Sequence, residues 1–249
     1  MLINGACETA VSRLKDCDSW VWDGKCNGFW ESWALVMTKI LMMNPNSNRA
    51  TTAAMCAIAQ RILGVAPVGW TAPEGPPLLA TPDLLDTAGG LVAAADIPED
   101  TDAIILSAFG DPGFAQLADK VSCPVIGIGG AAARAASQKG VPFAVATTTP
   151  ALTAPIDALM RQYAGDAHYV GCFTSEGDPN ALMQDEKALD AALLSEIVRA
   201  EQAGAAHVII GGGPLGEAAI RLKGVSPLPL FNPIACAARE VVAFLGARL

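Results

Sequence analysis

Residues 103–113 read AIILSAFGDPG, and residues 207–217 read HVIIGGGPLGE. In each segment a short apolar run, typical of a buried strand in a parallel sheet, ends in a glycine-rich turn that precedes a helical pattern. At an offset of 104 residues, the segment 104–108 falls on the segment 208–212. The two segments therefore indicate an internal duplication, which is the first feature that a fold assignment must satisfy.

The rest of the chain supports two copies of the same unit, since strand-like runs alternate with helical patterns from residue 39 onward. This alternation predicts an α/β fold with two pseudo-symmetric lobes, each a parallel sheet flanked by helices, and a ligand cleft between them. At the same offset Asn44 falls on Thr148. The predicted strands cover residues 39–44, 65–69, 102–108, 123–128, 142–148, 168–173, 207–211 and 227–232.

The duplication also sets the expected domain boundaries. Residues 37–140 are predicted to form the first α/β lobe and residues 141–232 the second, with a terminal helix at 233–249 that packs on the first lobe. Residues 1–36 contain four of the five tryptophans and three of the seven cysteines. We expect either that the native protein starts at Met37 or that this extension packs its tryptophans on the body or on another subunit.

Composition narrows the class of partner. The chain has 249 residues, 52% of them apolar, and a formal net charge of −9 with 16 scattered basic residues, so a nucleic-acid partner is not expected. No run of about 18 apolar residues predicts a membrane span. Seven cysteines without CxxC spacing and two histidines indicate reduced thiols in a cytoplasmic protein and no metal site.

Parallel sheets bind ligands beyond the carboxyl ends of their strands. Two facing lobes would therefore place four turns around one cleft, and we expect a small-molecule ligand there. These turns are NPN (44–46), SAFGDPG (107–113), TTTP (147–150) and GGGPLG (211–216).

Several polar groups in these turns are candidate ligand contacts. Asn44 and Asn46 either hold a polar edge of the ligand or close an Asx turn. Thr147 and Thr148 offer hydroxyl and amide groups ahead of a helix led by Pro150, which suits a carboxylate or carbonyl oxygen. The remaining candidates are Phe109 and the bare amides of Gly212 and Gly213.

Two further features of the turns have alternative interpretations. Asp111 either acts on the ligand or belongs to an ordinary turn that starts a helix, and the turn is the favoured interpretation. The segment GIGGAA (127–132) is close to the dinucleotide-binding pattern, but it follows a late strand and lacks an acidic residue about 20 positions later. We therefore expect no nicotinamide cofactor.

The motifs together resemble a known family. The chain is similar to the aspartate/glutamate/hydantoin racemase superfamily, and most similar to its hydantoin and allantoin racemase branch. The resemblance implies a cofactor-independent racemase or isomerase that binds a hydantoin, a ureide or an amino-acid-like compound between two lobes, and it implies a homo-oligomer. It rests on MNPNSN (43–48), FGDPG (109–113), PVIGIGGAA (124–132), ATTTP (146–150) and IIGGGPLG (209–216), in this order.

The resemblance also implies a mechanism that this sequence does not fully provide. In the family one cysteine removes a proton from the carbon beside a carbonyl, and a second cysteine on the opposite face returns one, as inversion requires. The positions that match these cysteines hold Ala108 and Gly212. The family often has a glutamate where this chain has Gly130 and an aspartate where it has Asn232.

Three functions stay open at this point: a racemase, a decarboxylase or isomerase that uses different residues, and a non-catalytic binding protein. Cys172, near the end of a predicted strand, is the candidate substitute for a missing thiol. A decarboxylase or isomerase could use Cys172 or a bound water, with the glycine-rich turns stabilising an enolate. A non-catalytic relative would keep the cleft and bind a small molecule without converting it. A cleft reached by Cys172 or by an acidic residue favours an enzyme, and a cleft lined only by threonine, asparagine and amides favours a binding protein.

Overall fold

A computed structural model of the chain describes residues 38–165 and 167–247. The predictions for residues 1–36 lie outside the described residues. The strands are β1 (Ile40–Asn44), β2 (Val68–Thr71), β3 (Ala103–Leu106), β4 (Val125–Gly127), β5 (Phe143–Thr147), β6 (Tyr169–Thr174), β7 (His207–Ile210) and β8 (Leu230–Phe231). The α-helices are α1 (Arg49–Leu63), α2 (Pro82–Ala94), α3 (Phe114–Lys120), α4 (Ile128–Ala136), α5 (Thr153–Tyr163), α6 (Pro179–Leu182), α7 (Glu186–Gln202), α8 (Gly216–Leu222) and α9 (Pro233–Gly246).

The strands form two parallel sheets of four strands each, with the orders β2-β1-β3-β4 and β6-β5-β7-β8. We call β1–β4 with α1–α4 the first lobe, and β5–β8 with α5–α8 the second lobe. The two orders are the same when the strands are numbered within each lobe. The predicted α/β fold with two pseudo-symmetric lobes is therefore confirmed.

The strand register corrects one detail of the predicted duplication. Met43 pairs with Leu106 in the first lobe, and Ala146 pairs with Ile210 in the second. Ala146 lies 103 residues after Met43, whereas Ile210 lies 104 residues after Leu106. Asn44 therefore corresponds to Thr147 rather than to Thr148, because the chain between the paired strands is one residue longer in the second lobe.

Local sequence accounts for where most elements begin and end. The Asn48 side chain caps α1 by accepting from the Thr51 amide at 3.1 Å, and Gly64, with φ of 74°, ends that helix in the left-handed region. The predicted last strand, 227–232, was too long. The sheet pairs only Leu230 and Phe231, since Pro227 and Pro229 lack the amide hydrogen that a strand donates.

A continuous apolar core joins the two lobes. It contains Met42 and Ile105 from the first sheet, Phe143 and Ile209 from the second, and most of the side chains of α4. The terminal helix α9 packs against α1 and α4. This core places the two sheets so that the carboxyl ends of their central strands face one another. No helix in the described part of the chain is both long and apolar enough to cross a membrane.

Candidate functional site

A cavity of about 50 Å³ lies between the lobes, at the carboxyl ends of β1, β3, β5 and β7. These are the two central strands of each sheet, where the strand order reverses, and such switch points are the usual ligand sites of parallel sheets. The turns that follow all four strands contribute to the wall, as the sequence predicts. The residues that these turns place on the wall include Asn46, Ser107, Ala108, Phe109, Thr147, Thr148, Thr149, Gly211, Gly212 and Gly213.

Ala108 and Gly212 occupy equivalent positions, one in each lobe, and both line the cavity. Ala108 is 8% exposed and follows β3 after one intervening residue. Gly212 follows β7 in the same way and has φ of 139° and ψ of 134°, a conformation that favours glycine. Neither residue carries a group that can transfer a proton.

Two hydroxyls on the cavity wall tie the central strands together. Ser107 Oγ donates to the carbonyl oxygen of Met43 at 2.6 Å, and Thr147 Oγ1 donates to the carbonyl oxygen of Gly211 at 2.7 Å. The first bond runs from the turn after β3 to β1, and the second runs from β5 to the turn after β7. Because each hydroxyl gives its proton to a carbonyl, its oxygen can only accept a hydrogen bond from a ligand.

The two asparagines after β1 have different roles. Asn44, expected either to contact the ligand or to close an Asx turn, is fully buried and does not line the cavity, and its Oδ1 accepts from the Asn46 amide at 3.2 Å. Its Nδ2 donates to Asn46 Oδ1 at 2.8 Å and to Thr52 Oγ1 at 3.0 Å, so Asn44 holds the loop in place. Asn46 lines the cavity, and its Nδ2 has no acceptor within the described part of the chain. Asn46 therefore keeps a donor for a ligand.

Backbone amides add further donors. The N–H groups of Ala108, Phe109, Thr148 and Gly212 have no acceptor among the described residues. All four belong to residues that line the cavity. Since amides away from water are nearly always paired, this set is suited to the oxygens of a bound carbonyl or carboxylate. Gly213 also lines the cavity, but it leaves no room for a side chain, because a Cβ there would lie 2.7 Å from the carbonyl oxygen of Ser107.

Asp111 lies behind this wall. Its carboxylate accepts from the amides of Gly129 and Gly130, both at 2.8 Å, at the start of α4. Burial raises its pKa to about 6, against the opposing effects of the two amides and of Arg134. The predicted turn is present as well, since the Phe114 amide donates to the Asp111 carbonyl oxygen. The amides that a dinucleotide phosphate would use in GIGGAA are therefore occupied by a side chain of the same chain.

Cys172, the candidate substitute for a missing thiol, does not line the cavity, so the structure does not support that role. It lies in β6, an edge strand of the second sheet, and packs against the apolar core. Burial raises its pKa to about 12, with a smaller contribution from Asp157. A thiol with this pKa is not a base near neutral pH. Cys236, buried in α9, has its pKa raised to about 11 for the same reason.

The apolar half of the wall was not predicted. Leu78 and Leu79 come from the loop after β2, and Met183 comes from the equivalent region of the second lobe, directly after α6. The leucine pair within the proline-rich loop 71–82 is the signal that could have indicated it. No residue on either half of the wall is ionisable, as far as the structure describes the chain. The described residues also contain no group of three His, Cys, Asp or Glu side chains that could hold a metal ion.

Comparison with known proteins agrees with this architecture. The model of the family described as Asp/Glu/Hydantoin racemase matches residues 40–241. A hydantoin racemase from Rhizobium meliloti is 29% identical over 147 residues, which cover 59% of this chain and 61% of the relative. A hydantoin racemase from Paenarthrobacter aurescens is 25% identical over 221 residues, which cover 84% of this chain and 92% of the relative.

A solved structure shows the same fold. The allantoin racemase from Klebsiella pneumoniae superposes with a TM-score of 0.74 at 22% sequence identity. The superposition covers 85% of this chain and 89% of that protein. The two lobes therefore share their fold with a solved structure.

Proposed function

Because the chain belongs to the Asp/Glu/hydantoin racemase family, we propose that it is an isomerase that binds a small hydantoin or ureide in the cavity between its lobes. The observation that carries this proposal is the set of amides at Ala108, Phe109, Thr148 and Gly212 that have no acceptor in the part of the chain that the structure describes, contributed by both lobes around one cavity. The relatives named as hydantoin racemases support the substrate class.

The cavity wall is complementary to a ring that carries both carbonyl and N–H groups. The amides of Ala108, Phe109, Thr148 and Gly212, together with Asn46 Nδ2, can donate to carbonyl oxygens. The oxygens of Ser107 and Thr147 can accept from ring N–H groups, because their own protons are already used. Leu78, Leu79 and Met183 offer an apolar surface to a substituent on the ring. A small uncharged ring compound therefore matches both the hydrogen-bonding groups and the apolar side chains of the wall.

The proposed chemistry does not use two thiols. We place the two family cysteines at Ala108 and Gly212, which cannot transfer protons. The contribution of the protein is then stabilisation of the enolate by amide donors, with water as the proton carrier. This route predicts slower turnover than general acid–base catalysis by two side chains, which typically contributes roughly 10²–10⁴-fold.

A second candidate function is binding without conversion. The observation that favours it is the lack of an ionisable side chain on the wall, as far as the structure describes it. The same four turns would then serve recognition alone.

One experiment separates the two candidates. Loss of the α-proton signal in D₂O is followed by NMR for 5-substituted hydantoins, allantoin, aspartate and glutamate, and binding of each compound is measured by calorimetry. Exchange above the protein-free rate supports the isomerase, and binding without exchange supports the binding protein. If no compound of the hydantoin or ureide class binds or exchanges, both candidates are wrong.

The control is Ala108→Leu, which fills the cavity and should abolish binding and exchange while circular dichroism stays unchanged. The double variant Ala108→Cys plus Gly212→Cys tests the placement of the family cysteines. Faster racemisation by this variant than by the parent chain supports that placement, and an unchanged rate in a folded variant contradicts it.

A further inference from the structure

We propose that Asp111 is a positioning residue of the candidate site, which fixes the turn of Ala108 and Phe109 to helix α4 through its ionised carboxylate. Asp111 does not line the cavity, so it acts only through the residues that it holds. Asp111 thereby controls the geometry of the first-lobe half of the same site, and this role rests on the proposed function.

Asp111 is bonded to the cavity wall through its backbone and to helix α4 through its side chain. Its amide donates to the carbonyl oxygen of Ala108 at 3.0 Å, and its two carboxylate oxygens accept separately from Gly129 and Gly130. Its φ of 49° lies in the left-handed region, which is uncommon outside glycine. A residue held in this conformation requires strong interactions to keep it there, and the two hydrogen bonds from the glycine amides provide them.

Helix α4 is a fixed reference for this turn. Seven of its nine residues are buried, and it packs against β4, α5, β7, β8 and α9, so it contacts elements of both lobes. The carboxylate also fits its surroundings closely. A side chain at Gly127 would collide with the Asp111 carboxylate, and a Cβ at Gly129 would lie 3.2 Å from its Oδ1. The backbone at the start of α4 is thus shaped around this carboxylate.

The charged groups near Asp111 come from three elements. Arg134 on α4 favours the ionised form, and Glu240 on α9, which pairs with Arg134 at 2.7 Å, opposes it. Tyr163 on α5 stacks under the Arg134 guanidinium, with 4.8 Å between the guanidinium carbon and the ring centroid. Burial outweighs the favourable contacts and brings the pKa of Asp111 to about 6.

Protonation should loosen the turn. A protonated carboxyl group keeps one good acceptor oxygen, so one of the two glycine amides loses a charge-assisted hydrogen bond. The turn that carries Ala108 and Phe109 is then held at one point instead of two. We expect ligand affinity to fall as the pH drops through about 6, the pKa of Asp111.

The test is calorimetric binding of a 5-substituted hydantoin between pH 5 and pH 8. Wild type should lose roughly tenfold in affinity toward pH 5, as expected for loss of one charge-assisted hydrogen bond. Asp111→Asn, which has one acceptor oxygen at every pH, should bind at the weaker level throughout with no transition. The matched control is Asp119→Asn, an exposed aspartate on the neighbouring helix α3, which should keep the wild-type profile.

A second measurement needs neither ligand nor variant, and so separates this proposal from the proposed function. In ¹⁵N NMR spectra of the wild-type chain, the amide shifts of Gly129 and Gly130 should titrate near pH 6, and those of Ala108 and Phe109 should follow the same transition. If the two glycines titrate while Ala108 and Phe109 do not, Asp111 does not position the turn. A folded Asp111→Asn variant with wild-type affinity and pH profile overturns the proposal in the same way.

Discussion

At the scale of single residues, Asp111 makes the free energy of unfolding depend on pH. Its pKa is about 6 in the folded chain, above the ordinary value of 3.8, so the folded state holds the proton more tightly than the unfolded state. Its contribution to stability is therefore complete below pH 4 and is lost as the pH rises through 6. The loss is about 3 kcal/mol at most.

Denaturant unfolding at pH 4, 5, 6 and 7 measures this loss. The difference in unfolding free energy between wild type and Asp111→Asn should change by a few kcal/mol across this range, because the variant has no proton to release. A constant difference would show that Asp111 has the same pKa in both states. The ionised form that the site requires is thus the less stable form, which is common at functional positions.

Gly212 is the second single residue whose substitution should change the free energy of unfolding. Its φ of 139° strains any side chain, so Gly212→Ala should lower the free energy of unfolding by about 1–3 kcal/mol. The matched control is Gly224→Ala, since Gly224 has no neighbouring atom within 4 Å of an added Cβ and no positive φ. Equal stability of the two variants in urea would show that the backbone at Gly212 relaxes without cost.

The same strain bears on the double-cysteine experiment. Ala108→Cys adds one sulfur beside the cavity and should change stability little, whereas Gly212→Cys must also adopt the strained backbone. The stability of each single variant therefore has to be known before the rate of the double variant is interpreted.

At the scale of elements, Asn232 joins two helices of different parts of the chain. Its Oδ1 caps α9 by accepting from the amides of Ile234 and Ala235, and its Nδ2 donates to the carbonyl oxygen of Gly216, where α8 begins. An asparagine performs both functions because it has an acceptor and a donor.

Substitutions at Asn232 should separate the two functions. Asn232→Asp keeps the cap but places a carboxylate against a carbonyl oxygen, so we expect a loss of about 1 kcal/mol of stability at neutral pH that decreases in acid. Asn232→Ala should lose about 1–2 kcal/mol at every pH. Thermal unfolding at pH 4 and pH 7 provides the comparison, and a more stable aspartate variant at neutral pH would contradict the bond to Gly216.

At the scale of the whole molecule, the shared core predicts that the two lobes unfold together. Met42 and Ile105 pack in the same apolar cluster as Phe143 and Ile209, together with side chains of α4 and α9. Separation of the lobes would expose this core, so neither lobe can stay folded alone. Differential scanning calorimetry should show one transition with equal calorimetric and van't Hoff enthalpies. Two resolved transitions would show that the lobes are independent.

Much of the fold follows from the sequence because its signals are local. Apolar runs such as AIIL and HVII, each ending at a glycine-rich turn, predict buried parallel strands, and their repetition predicts two similar sheets. The ends of parallel strands then bring the four turns together, so Asn46, Phe109, Thr147 and Gly212 could be predicted to lie around one cleft from the sequence alone. The absence of thiols at positions 108 and 212 is also a property of the sequence alone.

The tertiary structure decided which side chains face the cavity and which are used elsewhere. Asn44 and Asn46 are two residues apart and chemically identical, yet three-dimensional packing buries the first against Thr52 and leaves the second at the cavity, with an Nδ2 that has no acceptor among the described residues. Asp111 meets Gly129 and Gly130 only because β3 and β4 are neighbours in the sheet. Hydrogen-bond partners far apart in the chain depend on strand order and register, and for this reason the sequence could identify the turns but not their internal bonding.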